Sequence, residues 1–179
     1  MSLLDEAKRL DLAVRPALRR WPIFALLISA AMLAIAHAFQ TFGHLAPCHL
    51  CLKQREVYWA AMAVSAAAII AGLTPMRGLG TRVGCAILAL TFGYGAYLAG
   101  FHAGAEWHWW PAPVTCASTG PVNLSALKAL LAGGGAHQPA CDQAPWVFLG
   151  LSMAGWNFVA SVGLVVVSAL AALRKGDAT

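Results

Sequence analysis

The sequence contains few charged residues, and this shortage excludes a water-soluble globular protein. Asp, Glu, Lys and Arg make up 11% of the 179 residues, whereas hydrophobic residues make up 60%. Because soluble domains contain about 25% charged residues, this chain has too little charge to cover a water-facing surface. It is also too long for a single membrane anchor. We therefore expect an integral membrane protein whose main solvent is lipid.

The chain also lacks a basic patch with interleaved aromatic residues, which argues against binding of nucleic acid. Its formal net charge is +5, but the basic residues flank apolar segments. Lysine and arginine are enriched beside membrane helices on the cytoplasmic side. The positive charge is therefore interpreted as a signal of membrane orientation.

The long apolar runs lack the alternation of apolar and polar residues that membrane-spanning β-strands show. Each run is instead continuously apolar and near the roughly 20 residues that a helix needs to cross a bilayer. The predicted membrane helices cover residues 21–41, 52–73, 83–101 and 146–173. The tail before the first run is long and contains acidic residues, so we expect an anchor and not a cleaved signal peptide. The sequence thus predicts an all-α integral membrane fold, a single antiparallel bundle of four transmembrane helices.

Basic residues also predict the orientation of this bundle. Nine of the 12 lysines and arginines lie in the N-terminal tail 1–20, the connection 74–82 and the C-terminal tail 174–179. Four crossings place these three segments on one side, which the positive-inside rule makes cytoplasmic. The loops 42–51 and 102–145 then face outward.

The second outer loop is the only long connection, and it is predicted to contain a short helix on the membrane surface. Residues 121–132 place four leucines at helical spacing, with Asn123 at a position suited to an N-cap. An amphipathic helix of this kind lies in the membrane interface. Residues 133–135 are all glycine, which predicts a flexible hinge before Cys141.

Cysteines occur in two outward-facing pairs. Cys48 and Cys51 form a C-x-x-C motif, which can close a redox-active disulfide or supply half of a metal site. Cys51 falls near the N-terminus of the second helix, where the helix dipole favours a thiolate. Cys116 and Cys141 can pair in an oxidising compartment, either as a structural staple or as a disulfide that exchanges with other thiols. Cys85, within the third helix, is expected to be a small buried apolar residue.

Arg55 is a further candidate site residue, and two histidines also lie in the predicted membrane helices. Arg55 follows Cys51 by one helical turn, so it can stand on the same face of the helix. An arginine there would favour the thiolate and stabilise negative charge on an acceptor oxygen. The alternative is that its side chain only reaches out to the membrane interface and takes no part in the chemistry. His37 and His102 lie in membrane helices, but no partner spacing supports a haem. We predict no metal site, because an oxidising compartment and an exposed cysteine pair count against zinc.

The combination of motifs resembles the disulfide bond formation protein B family, called DsbB. The resemblance rests on Pro47-Cys48-His49-Leu50-Cys51 with Arg55 just beyond and on the second cysteine pair in the other outer loop. It also rests on the segment HAGAEWHWWP at 102–111 and on FLGLSMAGW at 148–156. The resemblance covers residues 21–173.

This resemblance implies a quinone-dependent thiol oxidase in the bacterial inner membrane, with both termini cytoplasmic and the cysteine loops periplasmic. A reduced thioredoxin-fold protein similar to DsbA would attack a Cys116–Cys141 disulfide at Cys116. The freed Cys141 would then exchange with Cys48. In the same scheme Cys51 would be the sulfur next to the quinone, which is ubiquinone or menaquinone.

The resemblance also implies roles for Arg55 and for one of the two membrane histidines, His102. Arg55 matches a residue that supports quinone binding, and His102 matches a histidine near the quinone. No metal is implied.

Four alternative functions stay open. The chain could be a specialised paralogue that serves one dedicated substrate. A vitamin K epoxide reductase-like protein would place its C-x-x-C near a late helix, whereas this pair precedes the second. A non-enzymatic membrane protein with a structural loop disulfide would need neither a reactive C-x-x-C nor Arg55. Finally, the two cysteine pairs together could ligate zinc on ligand count alone.

Overall fold

The computed structural model describes residues 16–75, 77–113 and 140–174. These residues form four long helices and one short hairpin. The helices are α1 (Trp21–Thr41), α2 (His49–Ala71), α3 (Arg77–Glu106) and α4 (Met153–Leu173), and the strands are β1 (Val147–Phe148) and β2 (Leu151–Ser152). Cys116 and the predicted surface helix at 121–132 lie outside the described residues.

Local sequence explains where these helices begin. Pro22 lies in the first turn of α1, where its fixed φ suits the helix and its missing N–H is not needed. Cys48 is the N-cap of α2, and its sulfur accepts a hydrogen bond from the Cys51 N–H. The Ser152 hydroxyl caps α4 by accepting from the Gly155 N–H at 3.0 Å. The C-x-x-C motif is thus built into a helix start.

Three helices are long and apolar enough to cross a membrane, namely α1, residues 78–106 of α3, and α4. Large apolar side chains cover their outer faces, as the exposed Leu27, Leu90 and Val159 illustrate. The remaining long helix, α2, is not among the three, and its first two turns contain Lys53, Arg55 and Glu56. The chain is therefore a mostly helical membrane protein, and the fourth crossing stays a prediction.

Helix α3 lies at the centre of the packing, against α4 on one side and α2 on the other, while α1 packs on α2. Phe92, Leu88 and Cys85 are fully buried in the core, which confirms the prediction for Cys85. Helices α2 and α3 approach closely at Gly84, where an added Cβ would lie 2.4 Å from the Cβ of Ala68. Small residues at such crossings allow membrane helices to pack backbone to backbone.

The last helix differs from the predicted span. Helix α4 begins at Met153, whereas the predicted span begins at residue 146. The residues between form the hairpin, because Leu149 and Gly150 have positive φ values of 49° and 78° and make a tight turn. An uninterrupted apolar run conceals this turn, so hydropathy alone extends the helix too far.

Candidate redox site

The C-x-x-C pair lies at the start of α2 as two free thiols. The sulfurs of Cys48 and Cys51 are 2.7 Å apart, and the Cys51 N–H donates to the Cys48 sulfur at 3.2 Å. A disulfide needs the sulfurs at about 2.05 Å, so a small movement would join them. The pair can therefore exist as a dithiol or as a disulfide without rearrangement of the helix.

Cys48 is the buried member of the pair, and its surroundings favour the protonated thiol. The hydrogen bond that it shares with the Cys51 sulfur raises the pKa of Cys48, and burial raises it further. In the reduced pair, Cys48 is thus the sulfur that keeps its proton.

The second outer loop contributes Cys141 to the same place. Cys141 is disulfide-bonded and fully buried, and it packs in one apolar cluster with Cys48 and Leu50. Its sulfur, the Cys48 sulfur and a ring nitrogen of His102 all lie within 4.8 Å of one another. Thiol–disulfide exchange requires one sulfur to reach another, and this arrangement brings sulfurs of both loops within that reach.

These three side chains could also surround a metal ion by distance alone. Zinc, however, binds cysteine as a thiolate, whereas the sulfur of Cys141 is engaged in a disulfide. The arrangement therefore favours exchange chemistry over a metal site.

Arg55 connects the start of α2 to α1. Its Nη1 donates to Gln40 Oε1 at 2.6 Å, and its Nη2 donates to the backbone oxygen of Ala36 at 3.0 Å. The neighbouring Lys53 forms a separate ion pair with Glu56 at 2.8 Å on the exposed surface. The Arg55 guanidinium is thus held in a defined position one turn beyond Cys51.

His102 is buried on α3 and lies against the Cys48 sulfur. Its Nε2 is 3.6 Å from that sulfur, and its Nδ1 is 2.9 Å from Nε2 of Gln54. Its Nε2 is also 3.7 Å from Oε1 of Glu106, one turn further along the helix. The sequence nominated His102 only through the family resemblance, whereas the structure gives it a direct contact with a cysteine.

Several polar residues around His102 were missed by sequence reasoning. Gln54 accepts a hydrogen bond from Asn157 on α4, and the Tyr58 hydroxyl donates to the same Asn157. Glu106 accepts from the Ser152 hydroxyl. Polar side chains in otherwise apolar membrane helices usually face the bundle interior and mark function, and this signal could have identified them.

An apolar cavity of about 940 Å³ lies between α3, the hairpin and α4. Phe101, Trp107, Trp110 and Phe158 contribute aromatic rings to its lining. Phe101 also packs against the cluster that contains Cys48 and Cys141. Phe101 therefore connects this apolar space to the cluster that contains the thiols, and apolar, aromatic walls are typical of small-molecule sites.

Comparison with known proteins gives consistent matches. The sequence pattern of the family described as "Disulfide bond formation protein DsbB" matches residues 18–171. A disulfide bond formation protein B from Albidiferax ferrireducens is 35% identical, with 88% of each chain covered. The protein of that name from Methylococcus capsulatus is 33% identical over 87% of this chain and 94% of its own. The one from Dechloromonas aromatica is 30% identical over 82% of this chain and 87% of its own.

Proposed function

The chain belongs to the disulfide bond formation protein DsbB family, and on that premise we propose that it is a quinone-dependent thiol oxidase. It would reoxidise a periplasmic thioredoxin-fold protein similar to DsbA. The proposal rests on the close approach of the two cysteine loops, because the sulfurs of Cys48 and Cys141 lie within 4.8 Å of each other.

The first half of the reaction takes place on the second loop. The reduced partner attacks a Cys116–Cys141 disulfide at Cys116, which forms a mixed disulfide with the partner and releases Cys141 as a thiolate. This pairing is supported by the state of the described cysteines, because Cys141 is disulfide-bonded while Cys48, Cys51 and Cys85 are free. Cys116 itself lies outside the described residues.

The second half transfers the oxidising equivalent between loops. The Cys141 thiolate attacks Cys48 of an oxidised Cys48–Cys51 pair, so that the bond between the loops forms and Cys51 leaves as a thiolate. The second thiol of the partner attacks the partner sulfur of the mixed disulfide and releases Cys116, which in turn attacks Cys141 and releases Cys48 as a thiolate. The partner gains a disulfide, the second loop regains its own, and Cys48 and Cys51 are left as two thiols.

The electrons then leave the protein through Cys51. A quinone, ubiquinone or menaquinone, supplies an acceptor for two electrons and two protons when it is bound. Three features of the chain fit such a group: the partly exposed Cys51, the fixed guanidinium of Arg55 and the adjoining aromatic cavity. Arg55 is the residue proposed to hold its polar end, and His102, whose ring contacts the Cys48 sulfur, is the cofactor-site residue proposed to lie near the quinone.

We also propose the membrane arrangement that this chemistry needs. The protein would cross the bacterial inner membrane four times, α2 included, with both termini in the cytoplasm. The two cysteine loops would face the periplasm, where an oxidising environment allows disulfides to persist. The segment 121–132 is proposed to lie as a helix on the membrane surface.

The experiment is quinone reduction by the purified protein in detergent, supplied with a reduced thioredoxin-fold partner. We expect the native chain to consume quinone and Cys51→Ser to consume none. Cys85→Ser serves as the matched control, because Cys85 is a free thiol buried in the core, and it should retain activity. No consumption by the native chain with ubiquinone or menaquinone would overturn the proposal. Bound zinc that is lost in Cys48→Ser would then favour the metal site.

A further inference from the structure

We infer that Gln54 and Asn157 are positioning residues that fix His102 in the tautomer with its hydrogen on Nε2, facing the Cys48 sulfur. The three residues come from three helices, α2, α4 and α3. They are buried, with exposed fractions of 7% for Gln54, 9% for Asn157 and 4% for His102. The consequence for catalysis rests on the proposed thiol oxidase function, whereas the tautomer itself does not.

In the structure the hydrogen bonds run in one direction from Tyr58 to His102, and this direction sets the tautomer. The Tyr58 hydroxyl donates to Oδ1 of Asn157, and Nδ2 of Asn157 donates to Oε1 of Gln54 at 2.5 Å. An amide has one accepting oxygen and one donating nitrogen, so Gln54 presents its NH₂ group to His102. Nδ1 of His102, 2.9 Å away, must therefore accept, and a neutral ring then holds its hydrogen on Nε2.

Rotation of one amide alone cannot reverse this chain. If Gln54 exchanged its oxygen and nitrogen, its NH₂ group would face the NH₂ group of Asn157. Both amides would have to turn together, with the Tyr58 hydroxyl accepting from the amide of Asn157. That fully reversed chain is the alternative in which His102 holds its hydrogen on Nδ1.

The Nε2 side of the ring faces the reacting sulfurs. Nε2 is 3.6 Å from the Cys48 sulfur, which suits an N–H···S contact, and 3.7 Å from Oε1 of Glu106, which is long for N–H···O. Ser152 holds the other oxygen of that carboxylate. The titratable groups that face His102 are thus Cys48, Cys141 and Glu106.

A donor at this position assists the step in which Cys48 is displaced. When Cys116 attacks Cys141 of the Cys141–Cys48 bond, the bond breaks and its electron pair stays on the Cys48 sulfur. The Nε2–H group donates to that developing thiolate, and hydrogen bonds to ionised groups are about twice as strong as neutral ones. The opposite tautomer would present a lone pair to the same negative charge and would oppose the step.

The test is nitrogen-15 NMR of labelled histidine side chains in the full-length protein in detergent. The signals of His102 are identified by their loss in His102→Gln. We expect an unprotonated Nδ1 and a protonated Nε2 in the native protein. Asn157→Leu frees the Gln54 amide to turn, so a population with the hydrogen on Nδ1 should appear.

A matched control separates positioning from general damage to α4. Ser168→Ala removes a different buried hydrogen bond of the same helix, the one that Trp21 donates at 2.8 Å, and it should leave the tautomer unchanged. A native His102 with its hydrogen on Nδ1 would overturn the inference, as would an unchanged tautomer in Asn157→Leu.

Turnover adds a readout that tests the catalytic consequence. Asn157→Leu should lower kcat roughly tenfold, the scale of one hydrogen bond to a charged group, and leave KM for quinone unchanged. Unchanged turnover in a variant with the altered tautomer would contradict the catalytic role. Since the NMR experiment uses neither quinone nor partner, an inactive native protein with the expected tautomer would count against the proposed function and not against the tautomer.

Discussion

Two buried free cysteines in this protein have opposite surroundings. Cys85 lies in the apolar core with Leu88 and Phe92, whereas Cys48 lies at the start of α2 beside the Cys51 sulfur and the His102 ring. Both side chains are almost completely buried. Burial alone therefore does not separate these two thiols, whereas their neighbouring sulfurs and hydrogen-bond donors do.

The largest expected difference in turnover comes from replacing each of these two cysteines separately by alanine. Cys48→Ala should lower turnover by about 1,000-fold or more, since it removes the sulfur that Cys141 attacks, and loss of a reacting group typically has effects of this size or larger. Cys85→Ala should change turnover less than about twofold, because a core thiol behaves as a small apolar residue. Turnover of the two variants is measured with reduced partner and quinone. Equal losses of turnover would contradict the contrast between the two cysteines.

Substitutions in the packed core should lower the stability of the protein and leave its chemistry unchanged. Gly84→Ala places a methyl group 2.4 Å from the Cβ of Ala68, so we expect a loss of about 2 kcal/mol in the free energy of unfolding. Gly93→Ala is the matched control on the same helix, because nothing lies within 4 Å of its added Cβ. Thermal unfolding in detergent measures both, and an equal stability of the two variants would contradict the packing account.

Substitution of Arg55 tests the proposed quinone site while all cysteines are kept. Arg55→Met loses the guanidinium and both hydrogen bonds to α1, so KM for quinone should rise roughly tenfold. Lys53→Met removes a nearby charge that pairs with Glu56 on the surface, and it should leave KM within about twofold. A similar rise in both variants would indicate an effect of net charge and not of the Arg55 position.

The smallest expected effect concerns the helix cap next to the site. Ser152→Ala removes the cap of α4 and the hydrogen bond to Glu106, so the unfolding free energy should fall by about 1 kcal/mol. Turnover should decrease less than in Cys48→Ala, because Ser152 touches neither sulfur. Denaturation monitored by circular dichroism gives the first quantity, and unchanged stability would argue against the cap.

The sequence predicted the long elements better than their ends. Trp21–Thr41 is a helix over the whole predicted span 21–41, because its apolar run is continuous. The predicted start of the last span at residue 146 is wrong as a helix start, since the turn at Leu149 and Gly150 is made of apolar and small residues. Hydropathy measures burial in lipid and contains no term for such a turn.

The sequence nominated the cysteines of the candidate site but not the amide side chains beside them. The C-x-x-C spacing and the helix start were sufficient to nominate Cys48 and Cys51. Gln54 and Asn157 are 103 positions apart in sequence, so their hydrogen bond depends on how α2 and α4 pack. Local spacing cannot supply that packing, and the roles of Cys116, Cys141 and Arg55 in catalysis stay predictions.

Exchange of a disulfide between the two loops, through Cys141 and Cys48, underlies the proposed function. The most direct measurement is peptide mass spectrometry of the Cys51→Ser/Cys116→Ser variant after oxidation, without reductant. We expect a Cys48–Cys141 disulfide, because each sulfur has lost its proposed partner and the two lie within 4.8 Å of each other. Recovery of both residues as free thiols, in a variant that remains folded, would contradict the account.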